Sequence, residues 1–423
     1  MSEYWQTVRS FSPSLRRFYV ANALVTTVAF GMMAVLLNLY LLRLGFDARY
    51  IGLLAGLGQL VWAAAALPAG LLSNRIGLRN NLQLGMGLFG LAISLILLVE
   101  SRPETQWRAW LLGCQVLLNI GVALITVNIP PYLMAVTGER ERRHAFAFLA
   151  ALVPASAFLG SVVAGILPGL LAGWLGLSLA EPAPYRMALS VAPILCWLGI
   201  LPLLGADPGR VVKHAVNAAS PSRAPLGLLA FWAGVTFLAA IGEGAIRTFF
   251  NVYLDMGLHV APATIGVVMG VAQLLPIVVA LSLPLLMARW GTGYTLIGGI
   301  VGMAACMVPI AVTAQVWVAA LGYMAVIATF TVTGTTRDLF GQELVTPRWR
   351  TSSQGVAVIG MALGWSAAGV VGGILIEAVG FSALYLIGSL TALLAAVLLL
   401  GFLRTVGRRQ PVPTESTEVL PER

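Results

Sequence analysis

The chain has 423 residues, of which 59% are hydrophobic and only 10% charged, with a mean hydropathy of +0.91. A water-soluble domain carries roughly 25% charged residues, so this composition excludes an ordinary cytosolic enzyme, a disordered chain and a nucleic-acid-binding protein. The net charge of +9 is the basic excess that membrane proteins collect in their cytoplasmic loops. Of the 25 basic residues 24 are Arg, and only Lys213 is Lys.

The N-terminal stretch Met1 to Arg17 is polar, with Arg9, Arg16 and Arg17. The apolar run behind it is too long for the core of a signal peptide and lacks a small-residue cleavage site. A spanning helix needs about 20 apolar residues. Twelve runs meet this: 18–42, 50–73, 81–99, 109–136, 145–172 and 186–205, then 226–254, 263–288, 294–313, 316–340, 352–378 and 382–403. The expected fold is an all-α membrane protein of twelve transmembrane helices in two six-helix bundles. The first bundle falls in 1–205 and the second in 226–403. The Ala/Pro/Ser-rich loop 206–225 divides them, and a polar tail, 404–423, reads as disordered. The remaining loops leave no room for a soluble domain. Cys114, Cys196 and Cys306 lie in apolar runs without disulfide or metal-ligand spacing, so no metal or other cofactor is expected.

Arginine sets the expected orientation. The termini and even-numbered loops hold 18 basic residues and the odd-numbered loops five, Arg43, Arg49, Arg102, Arg108 and Arg186. This asymmetry predicts cytoplasmic termini, in what reads as a bacterial inner (plasma) membrane.

The halves repeat one another. Ile51-Gly52, Gly56, Gln59-Leu60, Leu67, Leu71-Leu72, Arg75 and Gly77 recur as Ile265-Gly266, Gly270, Gln273-Leu274, Leu281, Leu285-Leu286, Arg289 and Gly291, all at an offset of 214 without a gap. Upstream, Gly31, Asn38, Tyr40 and Leu41 recur at Gly244, Asn251, Tyr253 and Leu254, offset 213. Downstream, Gly160, Gly165 and Gly169 recur at Gly364, Gly369 and Gly373, offset 204. An offset of six helices implies parallel repeats, with a binding site between them near the bilayer midplane.

Between the second and third helices runs Gly70-Leu-Leu-Ser-Asn74-Arg75-Ile-Gly77-Leu78-Arg79. This resembles the signature loop of the major facilitator superfamily, Gly-x-x-x-Asp-Arg-x-Gly-Arg-Arg/Lys. With the twelve helices, the repeat and a degraded second copy at Pro284, Arg289 and Gly291, the resemblance spans the chain. Asn74 stands in place of the family's Asp and Leu78 in place of its Arg. The resemblance implies a cytoplasmic gate latch whose charged part Asn74 weakens; Arg75 and Arg79 alternatively act only as positive-inside anchors. The drug-antiporter pattern in the fifth helix is incomplete, with Ala164-Gly165 where that subset has Gly-Pro.

An ionisable group at bilayer depth costs about 2.5–3.5 kcal/mol on insertion scales, which makes it a functional candidate. Glu243 and Arg247 are four apart in the seventh helix and share a face, with Thr236 on it and Asn251 close by. The superfamily's first, fourth, seventh and tenth helices line its central cavity, so the resemblance puts this pair on the substrate path. Glu243 is a candidate for a proton-coupling carboxylate or a cation site, and Arg247 for an anion site. The alternative is a pair that only neutralises itself. Arg337 and Asp338, near the end of the tenth helix, point about 100° apart and are read as gate or packing groups, with Asp338 reaching Arg289. Gln115 and Asn119 in the fourth helix, Asn22 and Thr26 in the first, and the matched Gln59 and Gln273 are polar candidates for binding or helix packing. Glu100, Asp255 and Glu377 read as solvated helix ends. Trp232, Trp365, Phe249 and Phe250 read as packing or lipid-facing groups.

The expected function is secondary transport by alternating access, with a small-molecule substrate, the lipid bilayer and protons as partners, and the chain acting as a monomer. The apolar cavity favours proton-coupled export of an amphipathic compound. Uptake of a metabolite and lipid translocation are the alternatives. No phosphate-binding loop is present to use ATP. The scattered carboxylates and the loop histidines His144, His214 and His259 argue against a membrane-embedded enzyme, and the missing soluble domain argues against a sensor.

Overall fold

The computed structural model describes residues 11–209 and 225–407. Expectations for residues 1–10, for 210–224 of the central loop (Lys213 and His214 among them) and for the tail beyond 407 lie outside the described residues.

The helices are α1 (Pro13–Arg43), α2 (Ala48–Ile76), α3 (Leu78–Leu97), α4 (Glu104–Val136), α5 (Glu139–Leu175), α6 (Ala183–Leu204) and α7 (Leu226–Gly257). Next comes one apolar span of 51 residues, Pro262–Val312. A straight helix of that length measures about 76 Å, against a hydrocarbon core of ~30 Å. The span turns at Gly291, whose φ of 76° and ψ of 162° are not helical. Its repeat partner Gly77, with φ 88° and ψ 157°, separates α2 from α3 in the same way. Both conformations lie at positive φ, which glycine adopts at little cost. We therefore describe α8 as 262–290 and α9 as 292–312. The series ends with α10 (Val316–Glu343), α11 (Arg350–Val379) and α12 (Phe381–Gly407). Among the described residues there is no strand.

Local chemistry sets the helix starts. Ser12 Oγ accepts the Leu15 N–H at 3.2 Å ahead of Pro13, and Asp47 Oδ1 accepts the Tyr50 N–H at 2.7 Å. Each satisfies a donor that the helix start leaves open. The repeat is imperfect at Pro276, which occupies the position of Trp62. Proline has no N–H and its ring crowds the preceding turn, so the helix ends at Ala272 and resumes at Leu275, whereas α2 runs unbroken.

Matched glycines make matched contacts. Within the bundles, Gly160 of α5 packs against Gly31 and Thr27 of α1, and Gly364 of α11 packs against Phe237 and Ala240 of α7. Between the bundles, Gly52 of α2 lies on Gly369 of α11, while Gly266 of α8 lies on Gly165 of α5. Helices immersed in lipid gain little from hydrophobic burial against each other, so close backbone approach at small residues supplies the packing.

The two ends of the molecule are fastened differently. At the terminal face, where the chain enters α1 and leaves α12, the bonds lie within bundles. Arg17 Nη1 donates to Gly205 O, Arg79 Nη1 to Ala206 O at 2.9 Å, and Tyr132 Oη to Asp207 O at 2.9 Å. The opposite, far face joins the bundles. Arg43 of α1 makes a two-pronged bond to Asp255 of α7, at 2.8 and 2.6 Å. The Arg49 N–H, opening α2, donates to Glu377 of α11 at 3.3 Å. Within the first bundle, Glu100 accepts from Tyr40 Oη at 2.7 Å and pairs with Arg186 at 3.0 Å. The expected solvation is corrected for Asp255, whose side chain is only 8% exposed, and in part for Glu100, 23% exposed and holding two partners, whereas Glu377 stands exposed as expected. The reason is tertiary: Asp255 meets Arg43 of the other bundle, and Glu100 meets α1 and α6 of its own.

Candidate functional site

A cavity of about 490 Å³ lies between the bundles near mid-helix. Its apolar wall includes Phe30, Met33, Leu37, Phe89, Leu118 and Trp62. Its polar groups are Asn38, Gln59, Gln115, Asn119, Thr126, Thr248 and Arg247. Trp62 Nε1–H donates to Thr126 Oγ1 at 3.2 Å, and Asn119 Nδ2–H donates back to Gln115 O at 2.9 Å. Gly58 makes room for these amides, because a Cβ there would stand 2.7 Å from both side-chain nitrogens. On the α1 side, Thr27–Met32 forms a wider π turn, a local widening that often marks functional segments. Ala29 and Phe30 of that turn line the cavity.

At the far end of the cavity the repeat meets itself. Asn38 Nδ2–H donates to Oδ1 of its counterpart Asn251 at 3.0 Å and to Thr248 O at 2.9 Å. Asn251 Nδ2–H returns a bond to Ala34 O at 2.9 Å. The Arg43–Asp255 pair lies about one turn further out, so the cavity is closed on this side by two successive polar layers.

Glu243 is 5% exposed and does not pair with Arg247. Its Oε1 lies 3.9 Å from Arg337 Nη1 and accepts the Thr333 hydroxyl at 3.3 Å. Its Oε2 accepts the Trp365 indole N–H at 3.2 Å. Arg247 turns the other way, into the cavity, with its guanidinium 4.6 Å from the Phe330 ring centre and 5.4 Å from that of Trp365. A spacing of four residues allows a pair without requiring it, and here three groups on α10 and α11 hold the carboxylate.

Several expectations need correction. Trp365 is neither lipid-facing nor mere packing: it lines the cavity and bonds Glu243. Arg337 belongs with Glu243, and its Nε also lies 3.9 Å from Asp338 Oδ1, so the adjacent pair does interact, since a long guanidinium reaches back over its own backbone. Asp338 accepts from Gln354 at 3.1 Å rather than meeting Arg289. Instead, Thr292 beside the second-half turn donates to Glu343 at 2.9 Å. Thr236 is buried against Gly360, with its hydroxyl bonded to Trp232 O at 3.0 Å. Asn22 and Thr26 are buried inside the first bundle, and neither lines the cavity. Gln273 sits at the Pro276 break and does not share the cavity with Gln59. Asn251 closes the cavity rather than lining it. The walls come from α1 to α4, α7 and α11, and α10 only backs Arg247 through Phe330. Gly70, Asn74, Arg75 and Gly77 stand at the α2–α3 turn, with Asn74 and Arg75 exposed, while Arg289 is exposed beside Gly291. Trp232, Phe249 and Phe250 are fully buried packing groups.

Comparison with known proteins agrees with this architecture. A 113-residue stretch is 36% identical to the methyl viologen resistance protein SmvA of Salmonella typhimurium; it covers 26% of this chain and 21% of that protein. The nucleoside transporter NupG superposes with a TM-score of 0.69 at 14% identity, covering 92% of this chain and 99% of that one. The inward-open xylose transporter XylE from E. coli superposes with a TM-score of 0.70 at 14% identity, covering 92% and 95%. At these identities the solved structures speak for the fold. The family profile of the Major Facilitator Superfamily matches residues 19–369. The chain belongs to the Major Facilitator Superfamily of membrane transporters.

Proposed function

We propose that the protein exports a small amphipathic molecule in exchange for protons, with the bundles of 1–205 and 226–403 rocking about the cavity as units. Both termini face the cytoplasm of a bacterial inner membrane in this reading, and one chain suffices. The observation that carries it is the placement of Glu243: a withdrawn carboxylate beside the cavity, held by Arg337, Thr333 and Trp365 from two other helices. Rocking changes such inter-helix contacts, so Glu243 trades Arg337 for a proton as the bundles rearrange. Trp365 touches both Glu243 and the cavity, so a bound molecule and the carboxylate feel each other through one side chain. Export is supported by the apolar wall and by the resistance named for the Salmonella relative.

The test is Glu243→Gln in proteoliposomes with an imposed pH gradient. The amide keeps the size, its one oxygen can still accept from Trp365 while its NH2 donates to the Thr333 hydroxyl, but it cannot exchange a proton. Gradient-driven accumulation should vanish, while exchange of substrate between the two sides persists. Accumulation that still follows the gradient in this variant removes Glu243 from the coupling role. The side on which substrate accumulates separates export from uptake.

A further inference from the structure

Of the side chains lining the cavity, among the described residues, Arg247 alone carries a charge. Its helical neighbour Glu243 is engaged elsewhere, and among the described residues no carboxylate pairs with Arg247. The contacts it does have are to ring faces, Phe330 at 4.6 Å and Trp365 at 5.4 Å. Such contacts draw on the guanidinium's charge and leave its in-plane N–H donors available. Gly244, one turn earlier, lets α7 close on α11, since a Cβ there would lie 2.9 Å from the Trp365 Cα. The arginine is therefore held in place with its donors unspent.

Arg247 is exposed into the cavity, so its guanidinium is open to an incoming anion, and the attraction strengthens as the bound molecule displaces water from between the charges. A guanidinium fork matches a carboxylate with two parallel bonds. The rest of the wall suits the remainder of such a molecule: Phe30, Leu37 and Trp62 for an apolar body, Gln59, Gln115 and Asn119 for a polar substituent. The volume, about 490 Å³, falls within the roughly 300–1,000 Å³ of small-molecule sites.

We propose that the cavity binds an amphipathic organic carboxylate, with the carboxylate on Arg247 and its apolar body against the α1 and α2 walls. This names the charge class of the substrate and rests on the transport reading above, but its test needs no gradient.

The experiment is a thermal-shift and calorimetric titration of the purified full-length protein with three probes: 2-naphthoate, the neutral 2-naphthamide, and methyl viologen as a cation. A ligand of the folded state raises its apparent stability. Naphthoate should raise the midpoint and the other two should not. Arg247→Gln should weaken naphthoate by about tenfold to a hundredfold, and Arg247→Lys by less, because a point charge replaces the fork. Both variants must first elute as single species; if Arg247→Gln does not, Arg247→Lys carries the comparison. Naphthoate binding to the native protein in detergent needs no gradient, which separates this site from proton coupling. If naphthoate binds while gradient-driven export fails in the native protein, only the export reading falls. Absence of a naphthoate shift, an equal shift from naphthamide, or preference for methyl viologen overturns the proposal.

Discussion

Asp255→Ala should move the protein towards a state open at the far face and lower transport at least about tenfold. The substitution leaves Arg43 without its two-pronged partner, with the bond from its Nε to Leu179 O at 2.9 Å and the Tyr185 ring centre 5.2 Å from its guanidinium. Breaking a buried pair from one side costs about 3–5 kcal/mol. Arg43 keeps 20% of its side chain exposed, so the lower end applies. About 3 kcal/mol moves a two-state population on the order of a hundredfold. The cost falls on the far-closed state alone, because the pair joins α1 to α7 across the bundle interface. In a background with Cys114, Cys196 and Cys306 replaced, a cysteine at Leu37 on the cavity wall reports the shift. Its labelling by an impermeant thiol reagent from the far side should rise in Asp255→Ala. The charge exchange Arg43→Asp with Asp255→Arg should bring it back down. Unchanged labelling in the single variant would mean that Asn38 and Asn251 close this end without the ion pair.

Gly369→Val should abolish transport, by about a hundredfold or more, in a protein that still folds. A Cβ at Gly369 would stand 2.7 Å from Gly52 O and 2.9 Å from Gly56 N. Both obstacles are backbone, so no rotamer change relieves them, and overpacking costs about 1–3 kcal/mol or more. The contact lies between bundles, so the protein escapes the clash by holding the bundles apart at the far face. Gly160→Val is the control. Its Cβ would meet the Gly31 Cα at 2.9 Å, but that contact lies inside the first bundle, where no rocking relieves it. Gly160→Val should therefore lose folded yield, and Gly369→Val should lose transport while eluting as a single species. Normal transport by Gly369→Val would falsify the view that this glycine contact closes the far face.

The contrast between these glycines shows how far the residues alone could lead. The offsets of 214 and 204 identified which glycines correspond, and the structure gives corresponding glycines corresponding neighbours. Which contacts lie within a bundle and which lie between bundles was not legible, because a small-residue stripe states only that something approaches closely. Gln59 and Gln273 show the opposite failure. Their register matches, yet Pro276 breaks one helix where Trp62 continues the other. That proline was visible in the chain, and its place opposite Trp62 was the overlooked signal.

The charged residues divide in the same way. Scarcity of charge singled out Glu243, Arg247, Arg337 and Asp338, since every charge at bilayer depth has to be compensated. Spacing along one helix then offered Arg247 as the partner of Glu243. Spacing is silent about side chains arriving from α10 and α11, and those are what hold the carboxylate. Trp365 was misread for the same reason: in a helix apolar all round, periodicity does not distinguish a face towards lipid from a face towards a cavity.

The sequence by itself determined that this chain lives in a bilayer, that it crosses as two parallel sets of helices, and that Gly77 and Gly291 turn it at equivalent points. These follow from hydropathy, from exact repeat offsets and from backbone geometry that glycine readily adopts, all of which are local. Only the tertiary structure decided that Arg247 faces the cavity rather than pairing with Glu243, that Glu243 answers to Arg337 and Trp365, and that Arg43 and Asp255 join the bundles at the far face. The reason is physical: each of these depends on distances between groups far apart in the chain, which helix packing sets and local spacing does not.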